Sequence, residues 1–151
     1  MEAKRDLEGK TLLRDFSGLL ESRNLNEEDR TIEFPFSSET PVDRGYLGKE
    51  ILDHREGSID FSRLNAAAPL LFNHNPDVVL GVVERGYLDK KTKRGMAKVR
   101  FAKNQAGEEA FDLVKEGVYR NVSFGYSVNE TEEMGDGAYR VTSFTPAEVS
   151  L

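Results

Sequence analysis

Asn121-Val122-Ser123-Phe124-Gly125-Tyr126-Ser127-Val128 alternates without a fault: Val122, Phe124, Tyr126 and Val128 fall on one face of an extended chain, and Asn121, Ser123, Gly125 and Ser127 on the other. A repeat of two is the signature of a β-strand, and four large apolar side chains on one side demand a core to cover them. The segment reads as one strand of a sheet that is wet on its other face. Downstream, Met134 to Gly137 turns the chain into a second strand, Ala138 to Phe144, and Ala147, Val149 and Leu151 then alternate with Glu148 and Ser150. Upstream, a helix opens at Asn104, which can cap it. Glu108 and Glu109 lie near its positive end, Ala106, Ala110, Phe111 and Val114 form its buried stripe, and Gly117 stops it.

Further upstream the period is two again. Ala97, Val99 and Phe101 alternate with Met96, Lys98 and Arg100, and the polar stretch Asp89 to Gly95 joins this strand to its predecessor as a hairpin. Val78 to Val83 and Leu70 to His74 read as two more strands, the latter fenced by Pro69 and Pro76. Ile32, Phe34 and Phe36 share one face of another, which Pro35 pushes towards a sheet edge because it has no N–H to donate. The first thirty residues differ. Leu12, Leu13, Phe16, Leu19 and Leu20 recur at helical spacing ahead of the charged stretch Asn26 to Arg30, which predicts a short amphipathic helix and a linker. Gly18 opposes a helix by about 1 kcal/mol relative to Ala, so a strand or a removable leader stays open. The chain stops within an apparent strand, as expected of a truncated domain or a cleaved product.

At 151 residues the chain suits one domain, and nine Phe and five Tyr supply its core. A net charge of -6 argues against a nucleic-acid partner, since phosphate neutralisation needs unbalanced Lys and Arg. The absence of Cys excludes disulfides and thiol nucleophiles, and no apolar run is long enough for a membrane span.

Ser123 lies on the polar face of its strand between Asn121 and Gly125, whose missing side chain permits close approach of another backbone. Alternation alone is equally met by an ordinary solvated face. His74 closes an apolar strand at a turn, and a neutral imidazole can take a serine proton near pH 7; an unremarkable surface histidine also fits. Only His54 and His74 exist, so any histidine chemistry uses one of them. Glu148, on the polar side of the closing strand, can orient an imidazole, and His54 is the alternative third member. A metal site made of Asp53, His54 and His74 matches no standard ligand spacing.

The order of segments resembles the prohead maturation protease family of tailed phages, itself similar in fold to the herpesvirus assembly protease. The residues that carry the resemblance are Arg30-Thr31-Ile32-Glu33-Phe34, Pro41-Val42-Asp43-Arg44, and Ser58-Ile59-Asp60-Phe61-Ser62-Arg63-Leu64 leading into Pro69-Leu70-Leu71-Phe72-Asn73-His74. Leu80-Gly81-Val82, Val114-Lys115-Glu116-Gly117, Arg120-Asn121-Val122-Ser123-Phe124-Gly125-Tyr126 and Ala147-Glu148-Val149-Ser150-Leu151 follow in order. Residues 30–151 are thereby expected to be a protease domain and residues 1–29 an extension that the resemblance does not reach.

The resemblance implies a β-rich α+β fold: an antiparallel β-barrel of about six to seven strands with a few flanking helices. It implies a serine endopeptidase without metal or cofactor, with Ser123 as nucleophile, His74 as base and Glu148, or else His54, as third member. Oxyanion or substrate contacts are expected from Phe124 and Gly125 beside the nucleophile, from Arg120 and from Asn121. The implied substrates are scaffold and major capsid precursor proteins and the protease itself, inside the assembling procapsid in the host cytoplasm. Dimers are expected from the herpesvirus likeness, with a higher oligomer as the alternative. An inactive structural or scaffold protein of the procapsid, or a module that captures a peptide along the Pro35 edge, are the competing readings.

Overall fold

A computed structural model describes residues 7–16 and 20–151 of the chain. Its strands are β1 (Thr11–Phe16), β2 (Leu25–Asn26), β3 (Thr31–Ser37), β4 (Val42–Asp43), β5 (Lys49–Leu52), β6 (Pro69–Phe72), β7 (Asn75–Asp89), β8 (Arg94–Phe101), β9 (Val122–Gly135) and β10 (Ala138–Ser150), with one α-helix, α1 (Gln105–Lys115), among the described residues. The strands form a single sheet in the order β1-β9-β10-β6-β7-β8-β3-β2, and β5, which also pairs with β4, joins at β10.

Three features of the expected barrel are corrected. The sheet has ten strands among the described residues rather than about six to seven. The sheet is mixed, because β10 runs parallel to both β5 and β6. It is also not closed: β1 ends the order on one side and β2 on the other. The far edge of β3 is covered by β2 only at Thr31 and Ile32, and Pro35 offers no N–H for a strand that would extend the ladder. The sheet curls instead, so that Phe36 of β3 meets Phe124 of β9 edge-on, with ring centroids 5.1 Å apart. Between them lies the core, to which β3 gives Ile32, Phe34 and Phe36, β9 gives Val122, Phe124, Tyr126 and Val128, and β10 gives Tyr139, Val141, Phe144 and Val149.

The helix forms where the sequence places it. The Asn104 side chain accepts the Gly107 N–H at 2.8 Å, Gly117 leaves the helix at φ 76°, and Ala110, Phe111 and Val114 are buried, Phe111 edge-on to Phe101 of β8. The hairpin between Asp89 and Arg94 is likewise present. Residues 11–16, however, are a strand rather than a helix; Gly18 and Leu19 of that expectation lie outside the described residues.

Strand β1 is held by an ion cluster beneath β9. The Glu50 carboxylate, fully buried on β5, accepts from Arg14 at 3.1 Å, Arg44 at 3.2 Å, Tyr139 at 2.8 Å and the Tyr126 hydroxyl. Arg14 also donates to the Glu50 and Thr40 carbonyls, and Arg44 to the Leu13 carbonyl. Burial pushes the Glu50 carboxyl up, but the hydrogen bonds from Tyr126 and Tyr139 and the charges of Arg44 and Arg14 outweigh it and hold the group below the usual carboxylate range. Burial and the adjacent carboxylate raise both tyrosines, which stay protonated donors.

A carboxyl whose folded value lies below its unfolded one stabilises the fold above the ordinary carboxylate range, and that contribution is lost as pH falls through the folded value. Denaturant unfolding should therefore show stability falling as pH drops below about 5. Glu50→Gln should lower stability at neutral pH by about 3 kcal/mol, because the buried Arg14 and half-buried Arg44 guanidinium groups lose their counter-charge, and should show a shallower acid slope. Equal stability of variant and parent at pH 7 would contradict this account of the cluster.

Candidate active site

Three neighbouring strands of the sheet, β9, β10 and β6, bring Ser123, Glu148 and His74 together. Ser123 projects from the wet face of β9, as the alternation predicts, and stands opposite Ser150 of β10 in the antiparallel ladder. Glu148 reaches the same face only because of an irregularity. Pro146 pairs with Tyr126 and Glu148 with Gly125, so β10 spends one extra residue, Ala147, against a single step of β9. Without that bulge, strict alternation would set Glu148 opposite Phe124, pointing into the core.

His74 does not end a strand. It forms, with Asn73, the two-residue reversal between β6 and β7, in which Phe72 pairs with Asn75. Both residues are left-handed, with φ of 47° at Asn73 and 59° at His74, as a tight hairpin requires. Asparagine tolerates that conformation, whereas for histidine it costs roughly 1–2 kcal/mol, which the surroundings must offset. They do so through the end of β10: the Asn73 N–H donates to the Leu151 carbonyl at 3.0 Å and the His74 N–H to Ser150 Oγ at 3.0 Å.

The imidazole bridges the other two groups. His74 Nδ1 lies 2.5 Å from Glu148 Oε1, and Nε2 lies 2.6 Å from Ser123 Oγ. A carboxylate accepts only, so Nδ1 carries the proton and donates to Glu148; in the neutral ring Nε2 is then an acceptor for the Ser123 hydroxyl. That hydroxyl has a second acceptor, the Arg14 carbonyl of β1 at 3.0 Å. His74 and Glu148 side chains are 17% and 15% exposed, enough to meet a substrate and little enough to limit screening. A cleft of about 270 Å³ opens here, lined by Asp15, Phe16, Asn73, His74, Asn121, Val122, Ser123, Ser150 and Leu151. A hydroxyl within hydrogen-bond reach of an imidazole that is backed by a carboxylate is equipped for nucleophilic attack on a carbonyl.

The remaining expected residues fall elsewhere. His54 is buried, with Nδ1 donating to the Leu52 carbonyl and Nε2 accepting from Ser37 Oγ, each at 2.8 Å. Burial pushes its imidazole below the usual histidine range, so it is a neutral core group with both nitrogens engaged away from His74. The Phe124 side chain is core, stacked on Tyr126 at 4.9 Å. Arg120 is exposed and lines a separate depression with Leu20, Glu21 and Arg23, while Asn121 lines the cleft. Gly125 is needed for a reason other than backbone approach: a Cβ there would sit 2.6 Å from Glu148 Oε1 and 3.4 Å from Leu13. Ser150, whose hydroxyl donates to Glu148 Oε2 at 2.7 Å, was hidden in plain alternation, two positions from Glu148 on the same face.

Known proteins resemble the chain in sequence and in fold. The family model described as Caudovirus prohead serine protease matches residues 50–151. A major capsid protein of Halomonas phage phiHAP-1 is 41% identical over 122 residues, covering 76% of this chain and 20% of that protein, so the chain spans about a fifth of the length of this curated relative. The solved capsid assembly protease gp21 of bacteriophage T4 superposes with a TM-score of 0.65 at 12% identity, over 95% of this chain and 99% of the other, which is a likeness of fold.

The Gly125 contact can be tested. Gly125→Ala should keep the fold but drive the Glu148 carboxylate off Nδ1, and the imidazole NMR signal of the Nδ1 proton should weaken or vanish. An unaltered signal would show that the carboxylate has room to spare.

Proposed function

Because the chain belongs to the caudovirus prohead serine protease family, we propose that Ser123 is its nucleophile, His74 its general base and Glu148 the carboxylate that orients the base. The supporting observation is the single imidazole held 2.6 Å from a serine oxygen and 2.5 Å from a carboxylate oxygen. In the proposed reaction Ser123 Oγ attacks the carbonyl carbon of the scissile peptide while its proton passes to His74 Nε2. Glu148 stabilises the imidazolium so formed. The tetrahedral intermediate collapses as His74 hands that proton to the leaving amine, and the acyl group stays on Ser123. Water then enters, gives its proton to Nε2, and releases the new carboxyl terminus as His74 returns the proton to Ser123.

The chain is a phage protein of capsid assembly, related to a protein named as a major capsid protein. Within that setting we place it in the procapsid, in the host cytoplasm, acting on capsid and scaffold precursor chains and on its own polypeptide, with residues 30–151 as the protease domain. Self-association into dimers belongs to the same reading, and an active species sedimenting as a monomer at every concentration would remove it.

A fluorophosphonate probe tests the nucleophile without knowledge of the substrate. It should label the parent at Ser123 alone, while Ser123→Ala abolishes labelling and His74→Ala slows it at least about a thousandfold. Glu148→Gln should slow it about a hundredfold or more, since an amide no longer selects the tautomer. Unchanged labelling of Ser123→Ala would remove the assignment, and an unlabelled, correctly folded parent would favour an inactive capsid component.

A further inference from the structure

Ser150 is 1% exposed, and its hydroxyl is used twice. Its oxygen accepts the His74 backbone N–H at 3.0 Å, and its proton goes to Glu148 Oε2 at 2.7 Å. Glu148 Oε1 meanwhile accepts from His74 Nδ1 at 2.5 Å. The three residues thus close a ring of hydrogen bonds in which each carboxylate oxygen has its own donor. Glu148 cannot rotate about its terminal bond without breaking one of them.

The ring also meets a need of the turn. In a two-residue reversal the amide of the second residue has no partner within the hairpin, and a shielded N–H without an acceptor costs roughly 1–3 kcal/mol. That amide is His74 N–H, and Ser150 supplies its acceptor while β10 holds the neighbouring Asn73 amide through Leu151. A hydroxyl accepts and donates through one atom; alanine does neither, and a thiol does both weakly.

We propose that Ser150 is a positioning residue for the serine–histidine–glutamate relay: it fixes the Glu148 carboxylate and the left-handed His74 backbone together, and so keeps the imidazole in the Nδ1–H tautomer that faces Ser123. The proposal rests on the protease reading for its effect on rate, but its effect on the tautomer does not depend on turnover. A misplacement of about 1 Å in a reacting group costs up to about a hundredfold in rate. Loss of one of the two anchors of Glu148 should fall within that range.

The experiment compares the full chain with Ser150→Ala, Ser150→Cys and Ser150→Thr. Two readouts are taken: the rate of fluorophosphonate labelling, and the ¹⁵N NMR spectrum of the His74 imidazole, assigned by loss of its signals in His74→Ala. Ser150→Ala should label about 10- to 100-fold more slowly and show mixed tautomers. Ser150→Cys, nearly the same size and able to fold should the alanine variant fail, should be intermediate, and Ser150→Thr should recover most of the rate and the Nδ1–H spectrum. Spectra of Ser150→Ala or Ser150→Cys identical to the parent would overturn the proposal even if labelling is slowed. Labelling that persists in Ser123→Ala would overturn the protease reading while the tautomer result still judges Ser150.

Discussion

The ladder between β9 and β10 is the constraint from which the rest of the site follows. Its one-residue slip at Ala147 turns the last three residues of β10 over, so that Glu148 and Ser150 share the face of Ser123 while Val149 enters the core. Once that register is set, the other features have little freedom. Gly125 must lack a side chain, because the carboxylate lies over it. The β6–β7 hairpin must bring its reversal to the end of β10, because Leu70 and Leu71 pair there with Val149 and Ser150. The imidazole arrives between hydroxyl and carboxylate as a result of backbone pairing, with no long or flexible side chain spanning the distance.

Much of this was legible from residue pattern. The alternation around Ser123, the hairpin before Arg94 and the capped helix after Asn104 are local signals, and local signals survive folding. The slip in β10 was also written in the chain, though less openly: its buried side chains Tyr139, Val141, Phe144, Pro146 and Val149 are spaced two, three, two, three, and each three marks an extra residue. The helix expected over Leu12 to Leu20 failed for a specific reason. In β1 the inward positions are Leu12, Arg14 and Phe16, a period of two concealed because its middle member is an arginine. Arg14 is buried only because Glu50, thirty-six positions away, supplies its charge partner, and no local reading contains that fact. Barrel closure failed likewise, since it depends on which distant strands meet.

Two ionic arrangements lie on opposite faces of β9 and are built to different ends. Around Glu50 both carboxylate oxygens accept hydrogen bonds, between them from two guanidinium groups and two phenols, in a cluster that fixes position. Around His74 the pairing is directional: the carboxylate takes one ring nitrogen, and the other is left with a hydroxyl whose proton has two acceptors to choose between. The first arrangement resists change in protonation.

The Arg14 carbonyl, one of those two acceptors, is main chain, so no side-chain replacement can delete it. Evolution can adjust its distance to Ser123 only through whatever seats β1, and beside the ladder to β9 one such seat is the buried salt bridge to Glu50. Drift at either member of that pair would be felt at the serine, although neither residue's side chain is visible from the cleft.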